Sequence, residues 1–316
     1  MASKLNGARP VWQVPTSPHQ VVAPPEGLPG TPDWCTLPTM LQRTFCHLPG
    51  VSPARERQLW DAGFHCWSDL AAAVAPIPGL RRPAALALEE SSRRYAAGDS
   101  CYFARMLAAR EQWRLLPEYP GATAYLDIET TGLNRGADVV TTIALFDGKE
   151  VRTFVQGENL AQFPAAVAPF KLLVTYNGKC FDLPFLEASF GLRFDQAHLD
   201  LRYVLHSLGL RGGLKGCERQ LGIGRHELAG VDGFFAVLLW QDYCRTGNRQ
   251  ARETLLAYNI ADTVNLATLA VHAYNRKLEA TPFATSARLP LPPAPPLPHA
   301  VTEGTVLALR RRLCGF

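Results

Sequence analysis

The stretch "AYLDIETTGL", Ala124–Leu133, carries an apolar run into two carboxylates and then into a Thr-Thr-Gly turn. On a β-strand, residues two apart point to the same face, so Asp127 and Glu129 project together. Two adjacent carboxylates repel each other unless a hard cation such as Mg²⁺ or Mn²⁺ binds them. Taken alone, the stretch fits a metal site and a strand end that exposes two acids to water equally well.

A third acid follows the next buried-looking strand. In "VTYNGKCFDLPFL", the apolar run is followed by Asn177 and then by Asp182, at the head of a short helical segment. An aspartate in this place is commonly a helix N-cap. The alternative is that Asp182 joins the first two carboxylates.

A fourth acid lies within an apolar helical pattern. Asp262 is part of "LLAYNIADTVNL", with Tyr258 four residues earlier and therefore on the same helix face. A charge on a core-facing stripe is costly unless it is paired. A metal shared with Asp127 would satisfy Asp262.

In chain order, "DIETTGL", "YNGKCFD" and "YNIAD" have the patterns D-x-E, N-x-x-x-F-D and Y-x-x-x-D. They resemble the three exonuclease motifs of the DEDD superfamily in its tyrosine variant, DEDDy. The histidine variant would place His at position 257, which is Ala257 here. The stretch "HLDLRYVLHSLGLRGGLKGCERQLGI" is similar to the bacterial YprB-like ribonuclease H-like family, and the resemblance spans about Thr123–Leu278.

The resemblance implies an α/β, RNase H-like mixed sheet with the D-x-E strand central and helices on both faces. It also implies 3′-to-5′ exonucleolysis with two divalent cations, Mg²⁺ or Mn²⁺. The implied metal ligands are Asp127, Glu129, Asp182 and Asp262, with Tyr258 orienting the attacking water. The implied substrate-binding residues are Thr130, Thr131, Gly132, Leu133 and Asn177. Two alternatives stay open: a non-catalytic nucleic-acid-binding scaffold, and a structure-specific endonuclease on the same fold.

Breaks in composition predict four regions. Residues 1–36, rich in Pro and Gly, read as a flexible leader, and residues 37–118 as a small helical domain. Residues 119–280 form the predicted RNase H-like exonuclease domain. Residues 281–316 are a Pro-rich linker followed by a basic tail.

The helical domain contains "CHLPGVSPARERQLW", in which we expect a helix to end near Cys46 and another to start near Pro53. This pattern resembles a helix-hairpin-helix DNA-binding motif. Gly50 would let backbone N–H groups approach a phosphate, and Arg55 and Arg57 would add attraction that does not depend on sequence. The alternative is an ordinary helical corner.

Bulk properties restrict the partner and the compartment. The chain has 316 residues, 47% of them hydrophobic, and a net charge of +4, which neither requires nor excludes a nucleic-acid partner. Eight cysteines without a C-x-x-C pair fit a reducing compartment. Since neither a signal peptide nor a membrane-length apolar run is found, we expect a cytoplasmic location and no membrane contact. DNA is favoured over RNA as the partner.

Four further polar residues have milder interpretations. Asp200 either lines the site or ends a strand, and His226 is interpreted as a loop histidine. Lys215 and Arg211 flank a Gly-Gly pair and either contact a phosphate backbone or belong to a solvated surface.

Overall fold

The computed structural model describes residues 39–73, 82–224, 232–293, 298–299 and 303–314. The predicted leader, residues 1–36, lies outside this part of the chain. The segment from Pro38 to Phe316 forms one compact unit. The predicted domain boundary near residue 118 therefore remains a prediction about sequence organisation, since both sides of it share a hydrophobic core.

A five-stranded mixed sheet forms the centre of the molecule, as predicted. Its strands are β1 (Thr123–Thr130), β2 (Val140–Phe146), β3 (Val151–Val155), β4 (Leu172–Thr175) and β5 (Ala197–Asp200). Their order is β3-β2-β1-β4-β5, so the D-x-E strand is central. The β1–β2 and β2–β3 pairs are antiparallel, and β4 and β5 continue parallel to β1. The predicted Asp147-Gly148 hairpin joins β2 to β3, with the Asp147 carboxylate accepting the backbone N–H groups of Lys149 and Glu150.

Helices precede the sheet and cover both of its faces. The first group is α1 (Pro53–Asp61), α2 (Trp67–Ala72), α3 (Arg82–Ala96), α4 (Ser100–Met106) and the 3₁₀ segment Ala109–Glu118. The second group is α5 (Phe163–Val167), α6 (Asp182–Phe190), α7 (Leu201–Ser207), α8 (Gly213–Leu221), α9 (Gly233–Thr246), α10 (Arg249–Leu278) and α11 (Glu303–Cys314). A short 3₁₀ turn, Leu160–Gln162, precedes α5.

Alternation along β1 separates the two layers of the core. Ala124, Leu126 and Ile128 pack with α5 and α6 on one face. Tyr125 packs on the opposite face, where α10 lies against β1 and β2. Because side chains two apart share a face, the residues at 127 and 129 continue the Tyr125 face and point towards α10.

An N-terminal helical region is present, but its first predicted helix is not. Where a helix was expected to end near Cys46, residues 40–43 and 46–47 form turns and residues 44–45 have no regular structure. Helix α1 does begin at Pro53, with Ser52 as its N-cap. The backbone N–H groups of Phe45 and Cys46 donate to Glu56 instead of to helical carbonyls. Glu56 thus satisfies donors that a helix would have bonded internally, which explains the difference.

A buried ion-pair network connects the segment around Thr44 to the 3₁₀ segment Ala109–Glu118. The Arg114 guanidinium donates to Glu56 Oε2 at 2.5 Å and also to Glu111. Glu56 is 1% exposed, and its Oε1 atom accepts the Thr44 hydroxyl. Arg114 is therefore the cation that makes a buried Glu56 tolerable.

The C-terminal segment ends in a packed helix. In α11, Val306 and Leu309 are buried in a cluster with side chains of α9 and α10. Arg312 forms an ion pair with Asp242, a buried residue of α9. The predicted basic tail is thus anchored by both apolar and ionic contacts. Among the described residues, no helix is long and apolar enough to cross a membrane.

The Arg114 network predicts a large stability effect. We expect Arg114→Met to lower the free energy of unfolding by about 3–5 kcal/mol, because two buried carboxylates lose their cation. The matched control is Arg110→Met, since Arg110 is 62% exposed at 3.6 Å from Glu111 and surface pairs contribute at most about 1 kcal/mol. Urea unfolding followed by circular dichroism measures both. Equal stability of the two variants would contradict the assigned role of Arg114.

Candidate active site

A cavity of about 460 Å³ opens at the carboxyl ends of β1 and β4. Ligand sites of α/β sheets commonly lie at such an edge, where neighbouring connections diverge. Six residues singled out from the sequence line it: Asp127, Glu129, Asn177, Asp182, Tyr258 and Asp262. The fold thus brings three motifs from distant parts of the chain into one cavity.

Three of the carboxylates converge from two elements. Asp127 and Glu129 extend from the α10-facing side of β1, and Asp262 comes from α10 itself. One carboxylate oxygen from each lies within 4.8 Å of the others. Asp262 is buried, while the two β1 side chains are partly exposed to the cavity. This spacing allows one ion to contact all three residues.

The fourth carboxylate comes from the opposite layer. Asp182 is the first residue of α6, whose body packs under the other face of the sheet. Phe181 is the N-cap of α6, so the N-cap interpretation of Asp182 is wrong. Burial, and then the charge of Asp127, raise the pKa of Asp182 well above its usual range. The Ile128 backbone N–H opposes this rise by hydrogen bonding to the Asp182 carboxylate.

Burial, followed by mutual repulsion, sets the electrostatics of the cluster. Desolvation, followed by the charges of Asp127 and Asp182, raises the pKa of Glu129 well above its usual range, and the positive charge of Lys215 opposes the rise. Clustered oxygens that raise one another's pKa form the donor set that a hard divalent cation binds. The carboxylates of Asp127, Glu129 and Asp262 therefore fit a hard divalent cation such as Mg²⁺ or Mn²⁺, which they would hold between β1 and α10.

A buried asparagine orients Asp127. Asn259 follows Tyr258 on α10, is 0% exposed, and donates from Nδ2 to Asp127 Oδ2 at 2.7 Å. Its Oδ1 atom accepts the Thr142 hydroxyl of β2 at 3.1 Å. The bridge fixes the amide orientation and holds one oxygen of Asp127 in place. Sequence analysis missed Asn259, although a polar residue beside Tyr258 in an apolar helix was a usable signal.

Asp200 organises the cavity wall without lining the cavity. Its buried carboxylate accepts the N–H groups of Asn177 at 2.7 Å and Lys179 at 3.1 Å, and it N-caps α7 through the Arg202 N–H. Asn177 adopts a left-handed conformation with φ 67°, which asparagine tolerates better than most residues. The turn between β4 and α6 is thereby clamped to the start of α7.

The turn after β1 lies beside the cavity. None of the four residues Thr130 to Leu133 lines the cavity, and Leu133 is 83% exposed. The Thr131 hydroxyl donates to Asp138 Oδ1, and a Cβ at Gly132 would lie 2.5 Å from Asp138 Oδ2. Glycine is thus needed where Asp138 closes the loop. The β1–β2 register shifts between Glu129 and Thr130, and Thr130 still pairs with Val140.

Three basic residues lie at the cavity or beside it, and the sequence predicted no role for two of them. Arg202 and His206, four residues apart on α7, both line the cavity. Lys215 of α8, which had been assigned either a phosphate contact or a solvated surface, lies with Nζ 4.5 Å from the centre of the Tyr258 ring. The spacing of Arg202 and His206 was visible in the sequence, but the placement of α8 was not.

The residues predicted for the N-terminal hairpin are separate from this cavity. Gly50 is exposed with φ 79°, Arg57 is exposed, and Arg55 donates to Gln58 within α1. None of the three lines the cavity. Arg211 is exposed and does not line it either, and His226 lies outside the described residues.

Comparison with known proteins supports the fold of the central region. Residues 124–274, just under half of the chain, match the family model RNase_H_2 of the RNase_H superfamily. Together with the sheet order, this match supports an RNase H-like fold for the region. No curated protein matches the chain.

Two solved structures show a distant likeness. The family B DNA polymerase of the archaeon Pyrobaculum calidifontis is 15% identical with a TM-score of 0.38; the match covers 53% of this chain but only 27% of the polymerase. Brucella melitensis NrnC bound to pGG is 18% identical with a TM-score of 0.37, and the match covers 55% of this chain and 81% of NrnC.

Repulsion in the carboxylate cluster predicts that removing one charge stabilises the metal-free protein. At pH 7.5 in EDTA, we expect Glu129→Gln to raise the midpoint of thermal unfolding by roughly 2–4 °C, the shift that about 1 kcal/mol produces. A pKa raised by folding contributes stability at low pH that is lost as the pH rises through the folded-state value. The wild-type midpoint should therefore fall more steeply with rising pH than that of Glu129→Gln. Glu150→Gln, in the exposed β2–β3 turn, is the control that should change neither quantity.

The Asn259 bridge predicts a loss of metal affinity. We expect Asn259→Leu to weaken Mn²⁺ binding about 10–100-fold, the usual effect of removing a group that orients a metal ligand. Asn265→Leu on the same helix removes a hydrogen bond to Glu218 and should leave the affinity unchanged. Calorimetric titration measures both, with thermal unfolding as a check on folding. Wild-type Mn²⁺ affinity in a folded Asn259→Leu protein would show that the bridge does not orient Asp127.

Proposed function

We propose that this protein is a metal-dependent nuclease that removes nucleotides from the 3′ end of DNA or RNA, of the DEDDy type. The observation that carries the proposal is the convergence of four carboxylates and Tyr258 in one cavity of an RNase H-like domain. An acidic cluster alone is common in proteins. This one joins elements from both layers of the sheet, at the edge where such folds bind ligands.

The four carboxylates are the proposed ligands of two divalent cations. Asp127, Glu129 and Asp262 already place oxygens within 4.8 Å of one another, and Asp182 of α6 lines the same cavity. Bound cations supply positive charge that stabilises the attacking and leaving oxygens of phosphodiester hydrolysis. The contribution of the chain is to hold the carboxylates in fixed positions, with Asn259 bonded to Asp127 and backbone N–H groups bonded to Asp182.

Tyr258 is the proposed residue that orients the attacking water. Its side chain is 5% exposed and packs in the cluster formed by α9, α10 and α11, which fixes the ring beside the carboxylates. The water oxygen forms a bond to phosphorus while the bond from phosphorus to the 3′ oxygen of the preceding nucleotide breaks. The water loses its proton and the leaving oxygen gains one. The products are a nucleoside 5′-monophosphate and a strand shorter by one nucleotide.

Action at a strand end is supported by the dimensions and borders of the cavity. A volume of about 460 Å³ falls within the range of single small-ligand sites, roughly 300–1,000 Å³. The Thr130–Leu133 turn borders it and is the proposed seat of the terminal nucleotide. The Asp138 contacts that shape this turn support a fixed binding surface. The 3′-to-5′ direction rests on the resemblance of the three motifs, and Gly50, Arg55 and Arg57 are a proposed separate contact for DNA.

The decisive experiment uses single-stranded DNA and RNA labelled at the 5′ end, incubated with Mn²⁺. We expect a ladder that shortens from the 3′ end. Asp127→Asn should lower the rate by at least about 10²–10⁴-fold, the range for losing a group that acts in the transition state. Tyr258→Phe should lower it less. Asp195→Asn, at an exposed position outside the cavity, should retain the wild-type rate.

Two outcomes would contradict this function. Intact DNA and RNA after incubation with Mn²⁺ would favour the non-catalytic scaffold. Cleavage of circular single-stranded DNA, which has no end, would favour the endonuclease.

A further inference from the structure

The catalytic cavity has a basic side as well as an acidic one. Arg202 and His206 lie four residues apart on α7, which places both side chains on the same helix face. Both line the cavity that contains the four carboxylates. We call these two residues the cationic wall, together with Lys215, which lies beside the cavity against the Tyr258 ring.

Lys215 approaches the acids from a second helix. Helix α8 begins at Gly213, and its first two residues, Gly213 and Leu214, line the cavity. The Lys215 ammonium lies 4.5 Å from the centre of the Tyr258 ring, a distance at which a cation is attracted to the ring face. Its charge also acts on the Glu129 carboxyl. Lys215 therefore lies among the proposed reacting groups, rather than on the outer surface.

Arg202 is held in a defined orientation. Its Nη1 atom donates to Asn177 Oδ1 at 2.5 Å, and the Asn177 N–H is in turn fixed by Asp200. One guanidinium N–H is thus used to orient the side chain. A guanidinium carries five such donors, so the others remain for a ligand.

The positive charges of Arg202, His206 and Lys215 offset the negative charge of the carboxylates. The substrate strand is a polyanion, and four carboxylates repel it. Cations bound to the carboxylates would attract the phosphate being cleaved, but neighbouring phosphates would still face an acidic surface. A basic wall in the same cavity counteracts that repulsion, and arginine in particular matches the oxygens of a phosphate.

We propose that Arg202, His206 and Lys215 bind the phosphodiester backbone of a single strand in the catalytic cavity, with Lys215 on the phosphate being cleaved and Arg202 and His206 on a neighbouring one. The assignment of Lys215 follows from its position beside Tyr258 and Glu129. The choice of a nucleic-acid strand as the ligand rests on the proposed function. Because the cationic wall would contact phosphates only, we expect binding that does not depend on base sequence.

Binding of single-stranded DNA, measured in EDTA to prevent cleavage, tests the role of the cationic wall. In EDTA, fluorescence anisotropy follows a 5′-fluorescein single-stranded DNA hexamer bound to the full chain over a range of salt concentrations. We expect Arg202→Gln and Lys215→Gln each to weaken binding roughly 3–10-fold. Each should also reduce the slope of log affinity against log salt by about 0.7, the value for one phosphate contact on a single strand. His206→Gln should weaken binding less than either.

Two controls make the result specific. Arg219→Gln, at an exposed position near the end of α8, and Arg193→Gln, at an exposed position after α6, should bind like the wild type. A hexamer with uncharged methylphosphonate groups at its two 3′-terminal linkages should bind the wild type and the wall variants equally. Calorimetry should show undiminished Mn²⁺ binding by Lys215→Gln, which a general distortion of the site would not allow.

The possible outcomes separate this proposal from the proposed function. If wild-type protein does not bind the hexamer, or if the wall variants bind it like the wild type, the proposed phosphate binding by the cationic wall is wrong. If the wall variants lose binding while wild-type protein with Mn²⁺ cleaves nothing, phosphate binding by the cationic wall is supported and the nuclease proposal is wrong. If cleavage occurs and every wall variant keeps the wild-type KM, the nuclease proposal is supported and the proposed phosphate binding by the cationic wall is wrong.

Discussion

Repulsion between converging carboxylates is the constraint on which the functional part of this structure depends. Asp127 and Glu129 extend from the central strand, Asp262 from α10, and Asp182 from the layer beneath. Packing of α10 on β1 and β2 and of α6 on the other face forces these charges together. Burial and proximity raise the pKa of Glu129 and of Asp182 in consequence. Holding acids together in this way destabilises the folded protein when no cation neutralises them.

The surrounding structure preserves that arrangement through buried polar contacts. Asn259 links Asp127 to the neighbouring strand, and Asp200 links the turn after β4 to the start of α7. Further away, Arg114 joins the N-terminal turns to the core through Glu56 and Glu111. Each contact connects segments distant in sequence, so each limits how far the layers can shift. The cavity is therefore shaped largely by the packing of the whole compact unit.

The mixed sheet was predictable from the sequence, because it depends on local patterns, and the three motifs marked residues that line one cavity. Alternation in "TAYLDI", the Asp147-Gly148 turn and the apolar period of α10 are properties of short segments. The contacts that depend on tertiary packing were not predictable in this way. Glu56 meets Arg114 across 58 positions, and its acceptance of backbone N–H groups replaces the helix expected before Cys46. The approach of Lys215 to Tyr258 depends on where α8 lies, which no local pattern determines.

The central claim is that the four carboxylates form one cradle for two divalent cations. Anomalous diffraction from crystals of the wild-type protein grown with Mn²⁺ tests it most directly. The account predicts two Mn²⁺ peaks in the cavity, both with ligands from the set Asp127, Glu129, Asp182 and Asp262, and neither present in Asp127→Asn crystals. Density for Mn²⁺ only at surface acids, with the four carboxylates protonated and hydrogen-bonded to one another, would contradict it.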